Sequence, residues 1–453
     1  MLKLIDENYY KINFIFILIV AVYCMCGLIV PLQFISANKI ITGGMTLLGL
    51  FLAGYNLIIK KVYLKVRSIN YLILFFIFNV LTCILVANYG YSTNIKNIVV
   101  FIIYFFAIFP MFKLFRAELN KKIYYTFFYV IAVLNTIGVS ISIAQFILLK
   151  GYRVHDYRGK IIRQGFVESR LFGIFADPNY LSITSLIVII FLIVNLKKIK
   201  KNYTVLTWIA ILLNYIYVVL SGSRTAYICL MIVSLVYAIM LFYRKEYPKT
   251  LLKVIAVLAI VFFSYKSIGL AGVQYLSYNK EELIKHQGKL NNENNLSLER
   301  TDTSEDNISN NRFTIWKSTL NFVPKRPVLG YSSGNWYEIA KKYNSEEYIV
   351  KEHYFAHNGY IEILFYNGVV GFLIMAIFIL TTLKSLGSKI MVHLRKGSIV
   401  NVELMAISLI LIVILISNLF LSSTFYGITL LGMILFISIS YYFNMLSTDG
   451  GEE

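Results

Sequence analysis

An all-α chain threaded through a membrane about twelve times is the fold class this sequence predicts, and three observations predict it. Hydrophobic residues make up 58% of its 453 residues and charged residues only 15%, a balance outside that of water-soluble domains. Apolar stretches of roughly 17 residues or more recur from one end to the other, the length at which a helix crosses hydrocarbon while satisfying its own backbone. The lysines and arginines behind the net charge of +20 sit in short clusters between those stretches. Such clusters are topology signals, so nucleic acid is not expected as a partner and the lipid bilayer is.

The first stretch, 13–31, follows Lys3 and Lys11 and leads straight into further spans, so it is expected to remain as a helix and not to be removed as a signal peptide. Spans follow at 38–58, 70–88, 95–112, 123–149, 171–194, 203–220, 224–242, 250–268, 358–383, 401–419 and 425–444. An even number puts both termini on one side. Alternate loops carry Lys60, Lys61, Lys65 and Arg67; Lys113, Arg116, Lys121 and Lys122; Lys197, Lys198, Lys200 and Lys201; Arg244, Lys245 and Lys249; and Lys384, Lys389, Arg395 and Lys396. These loops and both termini are expected in the cytoplasm. The intervening loops 32–37, 89–94, 221–223 and 420–424 contain no Lys or Arg and are expected outside.

Two outward loops break this rule. Loop 150–170 holds Lys150, Arg153, Arg158, Lys160, Arg163 and Arg170. A long loop at 269–357 divides the chain into spans 1–268, the loop itself, and spans with a tail at 358–453. Within it, 279–311 is rich in Asn and charge and is expected to be mobile, whereas 312–345 is expected to be helical. There Phe313, Trp316, Leu320 and Val323 recur at helical spacing, the apolar stripe expected of a helix that stops before Pro324. Cys24, Cys26, Cys83 and Cys229 all fall inside spans and read as small apolar residues. Neither a disulfide, a metal nor a cofactor is expected.

Three polar signatures remain, each where a span begins on the outer side. They are SRLFGIFADPNYLS, with Arg170, Asp177 and Asn179; SGSRTA, with Ser223 and Arg224; and AHNGYIE, with His357, Asn358 and Glu362. Helix N-termini offer unpaired N–H groups and partial positive charge. An arginine there opposes the dipole but, together with the N–H groups, suits phosphate oxygens. Arg224 fits that role, and also fits an anchor reaching to the interface. Arg170 fits the phosphate role as well, and with the five other basic residues of its loop equally fits attraction of a diffuse anionic surface or of lipid headgroups. Asp177 before Pro178 reads as an N-cap, as do Ser221, Ser223 and Thr225. His357 is placed to take a hydroxyl proton near neutral pH, or to anchor the interface by hydrogen bonding. Glu362, one turn inside the span, either complements the dipole or orients His357.

In this order the signatures, joined by Arg312 and Trp316 in NRFTIW, by PVLGYSSGNW, and by Gly368 and Gly371, resemble the O-antigen ligase and polymerase family over roughly residues 165–375. The resemblance implies a family-C-like, metal-independent membrane glycosyltransferase. Its substrates would be undecaprenyl-pyrophosphate-linked glycans, as donor and as acceptor, at the outer leaflet of a bacterial cytoplasmic membrane. Carried over by position, Arg170, Arg224 and Arg312 would hold the diphosphate and His357 would activate the acceptor hydroxyl. Glu362 is grouped with them as catalytic, and Asp177, Asn179, Ser223 and Asn358 as supporting residues. A flippase and a chain-length regulator are further implied partners. Polymerisation of O-antigen or capsule repeats is the leading expectation. Transfer of the finished chain to another acceptor is the alternative, and a glycan transporter the second.

Overall fold

The computed structural model describes residues 2–62, 66–156, 159–243, 247–287, 311–422 and 424–449. In chain order the helices are α1 (Leu2–Leu28), α2 (Gln33–Ala37), α3 (Lys39–Gly54), α4 (Ile69–Leu85), α5 (Tyr91–Ile102) and α6 (Ala117–Ile147). Strands β1 (Gly151–His155), β2 (Ile161–Val167) and β3 (Arg170–Gly173) follow. Then come α7 (Pro178–Asn195), α8 (Thr204–Leu220), α9 (Arg224–Phe242), α10 (Tyr247–Tyr278), α11 (Lys280–Gln287), α12 (Arg312–Leu320), α13 (Trp336–Tyr343), α14 (Tyr348–Lys351), α15 (Gly359–Arg395), α16 (Val402–Ser417) and α17 (Leu430–Asp449). Single π-helical turns extend α3 and α5 to Ile59 and Ile108.

Among the described residues, nine helices are long and apolar enough to cross a membrane. Shorter apolar helices, Ile69–Leu85, Val402–Ser417 and Leu430–Leu446, occupy the remaining three expected spans. At about 1.5 Å per residue, α16 is shorter than a ~30 Å hydrocarbon core. It is almost wholly buried among neighbours, so its ends are met by protein and not by lipid. α7 is the centre of the bundle: it packs against α6, α8, α9 and α16, and nearly every one of its residues is buried. α10 is peripheral, with 6% of its most apolar window buried.

The sequence expectation is corrected at three places. Residues 150–170 are not a loop but most of a three-stranded antiparallel sheet in the order β1-β2-β3. Asp156 builds the first turn: its carbonyl accepts from Gly159 N–H at 2.9 Å and its carboxylate from Lys160 N–H at 2.9 Å. Glu168 and Ser169, both with positive φ, make the two-residue second turn, the conformation whose twist matches the right-handed twist of the flanking strands. The inner end of the sheet is buried against α6, with Phe146 meeting Phe166 edge-on.

The second correction is the apolar stripe. Phe313 and Leu320 are exposed, and α12 instead buries Ile315, Ser318 and Thr319. Ser318 donates to Glu347 at 2.7 Å and accepts from Ile349 N–H at 3.2 Å, so hydrogen bonding across to α14 sets the face. Third, α10 runs to Tyr278 and α11 occupies 280–287, which places the start of the long loop and the first part of the 279–311 tract in helix. Residues 288–310 lie outside the described residues.

Residues 311–357 form a cap with a core of its own, built from Ile315, Phe322, Tyr331, Trp336 and Ile349 over Phe365 and Tyr366 of α15. The cap is bolted on by a break in α15. Gly368 has φ 66° and ψ −175°, and the segment 327–332 enters the gap. Tyr331 N–H donates to Phe365 O at 3.0 Å, Ser332 N–H to Tyr366 O at 2.9 Å, and Val369 N–H to Pro327 O at 2.7 Å. These bonds satisfy backbone groups that the break strips from the helix. Gly330 (φ 70°) lies against Gly368, and a Cβ there would stand 2.6 Å from Gly368 N. The motif PVLG is therefore the inserted segment itself.

Candidate active site

Each of the three signatures begins a helix, and in each a cap fixes the first turn. Asp177 accepts from Asn179 N–H at 2.8 Å with Pro178 in the first helical position. Ser223 caps α9 by accepting from Ala226 N–H at 3.3 Å. Asn358 caps α15, accepting from Tyr360 and Ile361 N–H at 3.0 and 3.1 Å. The capping reading of Asp177 and Ser223 holds, Asn358 is a further cap, and the three caps fix the backbone from which their neighbours project.

Arg170 joins the first signature to the second. It is buried on β3, donating from Nε to Ser221 O at 2.9 Å and from Nη2 to Asn179 Oδ1 at 2.8 Å. Its guanidinium stands 5.7 Å from the centre of the Phe172 ring, and its stem packs under Gly222, whose φ of 61° allows the close approach. Arg170, expected as a diphosphate ligand, is thus first a clamp between the start of α7 and the α8–α9 turn. Arg224 follows in that turn and is exposed at the first position of α9.

The third signature meets the first at His357. This residue has a left-handed backbone (φ 49°) and an exposed edge, and its ring lies 6.5 Å from that of Tyr354. Burial of the rest of the ring and the nearby positive charge of Arg312 hold its pKa below the usual imidazole value. Asp177 opposes this, and Lys160 adds to the lowering. The imidazole of His357 therefore lies within electrostatic reach of two cations and of the α7 cap. Arg312 sits half-buried on α12, 5.8 Å from the Phe420 ring.

Glu362 is buried beneath this turn. Its carboxylate accepts from the backbone of Ala356 and from the hydroxyl of Ser422, while Oε1 has no hydrogen-bond partner among the described residues. It pins the residue before His357 to the α16–α17 connection, and Gly359 N–H is tied there too, to Asn418 O at 2.8 Å. Lys160 and Ser422 were not singled out from the sequence. Lys160 lies in the loop whose charge broke the topology rule, which was a usable signal; Ser422 sits in an uncharged stretch that offered none. Among the described residues, no group of three or more His, Cys, Asp or Glu side chains is arranged to hold a metal ion.

Residues 209–376 match the model of the O-antigen ligase family, a segment that holds Arg224, Arg312, His357 and Glu362. Over this segment the chain is similar to the O-antigen ligase family. A stretch of 192 residues is also 27% identical to an uncharacterised protein of Haemophilus influenzae, covering 40% of this chain and 44% of that one. The O-antigen ligase match stops short of Arg170 and Asp177, so the clamp and the sheet that carries it belong to the part of the chain outside the matched segment.

Proposed function

We propose that this protein acts as a member of the O-antigen ligase family, that it transfers glycans from a polyprenyl diphosphate carrier at the outer leaflet, and that its acceptor is a second lipid-linked repeat unit, so that the product is a lengthened chain. The observation that carries this reading is the junction of the three signatures. Arg170 links α7 to the α8–α9 turn, and His357 feels the charges of Asp177, Arg312 and Lys160.

In the reaction, His357 takes the proton of the acceptor hydroxyl as its oxygen attacks the anomeric carbon of the donor. The bond between that carbon and the diphosphate oxygen breaks, and the electron pair leaves with the polyprenyl diphosphate. Arg224, Arg312 and Lys160 face that charge, aided by the N-terminal ends of α7, α9 and α15. A depressed histidine pKa favours this role, because the imidazole is then neutral and able to accept a proton at pH 7. Arg170 acts behind them by holding the Ser221–Arg224 turn. Glu362 is a positioning residue for the His357 turn.

The test is transfer by the purified protein given a synthetic polyprenyl diphosphate oligosaccharide, with products read by mass, for wild type, Arg224→Ala and His357→Ala. Lengthened lipid-linked glycan with wild type, and none with either folded variant, is the expected result. Product that forms only when a different acceptor is added would make the protein a ligase. Movement of unchanged substrate across vesicles, without any bond made, would overturn the catalytic reading in favour of transport.

A further inference from the structure

A furrow of about 780 Å³ lies far from His357, between α6 and α8, and closes at the far end of α7 beside Lys198 and Lys200. Two small residues, Ala132 of α6 and Ala210 of α8, are part of its wall. The Ser and Thr hydroxyls that line it are engaged within the protein. Ser140 donates to Thr136 O at 2.8 Å, Thr207 to Tyr203 O at 2.8 Å, and Thr136 Oγ1 accepts from Asn214 at 2.9 Å. With these aliphatic hydroxyls engaged inside the protein and most other wall residues apolar, the interior suits hydrocarbon.

The end of the furrow is different in kind. Lys198 is held by Glu403 at 3.1 Å and by the Tyr125 hydroxyl at 2.9 Å. Glu403 is already shared with Lys121 at 2.9 Å, so it has little charge left to offset the exposed Lys197, Lys200 and Lys201. Tyr203, 58% exposed, stands beside them at the mouth, where an amphipathic ring suits a membrane interface.

An apolar trough with exposed lysines at one end is complementary to a phospholipid with net negative charge. We propose that this furrow is a binding site for an anionic glycerophospholipid of the leaflet opposite the active site, with an acyl chain between α6 and α8 and its phosphate on Lys200 and Lys201. This site is independent of the transfer reaction and stands whether or not that reading does.

The experiment is native mass spectrometry of the full chain released from nanodiscs of phosphatidylglycerol mixed equally with phosphatidylcholine. Wild type is expected to retain phosphatidylglycerol at least fivefold over phosphatidylcholine. Ala210→Trp, which fills the trough, is expected to lose the retained lipid, and Lys200→Gln with Lys201→Gln to bring the ratio close to one. Size-exclusion behaviour and helical content check that both variants fold. Equal retention of the two lipids by wild type, or unchanged retention by Ala210→Trp, would overturn the assignment. Displacement of the phosphatidylglycerol by an equimolar polyprenyl phosphate would also overturn it, by giving the furrow to the carrier lipid.

Discussion

Replacing Arg170 separates a clamp from a ligand. In the structure its Nε–H and Nη2–H reach Ser221 O and Asn179 Oδ1, both inside protein, and each charge-assisted bond of this kind contributes about 1.5–3 kcal/mol. Arg170→Ala removes both and leaves the Ser221 carbonyl buried without this donor, so a loss of about 3–6 kcal/mol of stability is expected. Arg170→Lys keeps the charge, but a single ammonium cannot reproduce a planar fork with two fixed directions. It should recover no more than about half of that loss. The assay is thermal unfolding of the purified variants in one detergent, run beside transfer kinetics. A clamp predicts a large fall in melting temperature for Ala, an intermediate one for Lys, and a parallel loss of kcat. If Arg170→Ala melts with wild type and only KM rises, the residue is a diphosphate ligand and the reasoning from its hydrogen bonds fails.

Three further outcomes are expected. The rate should fall as pH drops through the depressed pKa of His357, with a midpoint below the ordinary imidazole value of 6.5; Arg312→Gln, which removes a positive neighbour, should move that midpoint up, and Asp177→Asn, which keeps the cap but removes a negative one, should move it down. A pH profile of kcat/KM for the three proteins reads this, and unmoved midpoints would remove His357 from the role of base. Glu362→Ala leaves Ala356 N–H and the Ser422 hydroxyl without their acceptor and should lower kcat about 10–100-fold through misplacement of the turn, whereas Glu362→Gln keeps an acceptor oxygen and should recover most of it; an equally inactive, folded Gln variant would point to proton chemistry at the carboxyl. Gly330→Ala, strained at φ 70° and pressed on Gly368, should cost about 2–4 kcal/mol, and wild-type melting would show that the cap does not depend on the inserted segment.

The span pattern was legible because hydrocarbon imposes one rule on every residue of a span, and a run of apolar residues expresses it without reference to the rest of the chain. The helix starts were legible for a similar reason: Asp177, Ser223 and Asn358 act on N–H groups two or three residues away. The sheet was hidden by its charge. Arg153 and Arg163 project from β1 and β2 onto Glu168 at 3.4 and 2.8 Å, so basic residues interrupt the apolar alternation that marks a strand. Its second turn uses Glu168 and Ser169 where Asn and Gly would have announced it. The DYRG sequence did carry a turn signal, Asp at the first position and Gly at the fourth, yet it gave no sign of which face would be covered. The clamp made by Arg170 was out of reach, since both partners lie across the fold.

Those long-range links change what the arginines should be expected to do. The N-termini of α7, α9 and α15 lie at the same end of the bundle, held there by Arg170 and by the pinned turn of His357. Each contributes about half a positive charge at its tip. Arg224, Arg312 and Lys160 add to a potential the backbone has already made positive, so a diphosphate would be attracted by the ensemble and not by one side chain. Loss of any one of these cations should then weaken binding in a graded manner, while loss of the clamp, which sets the directions of two of those helix ends at once, should abolish it. The most consequential residue of the site is on this view one that need not touch the substrate.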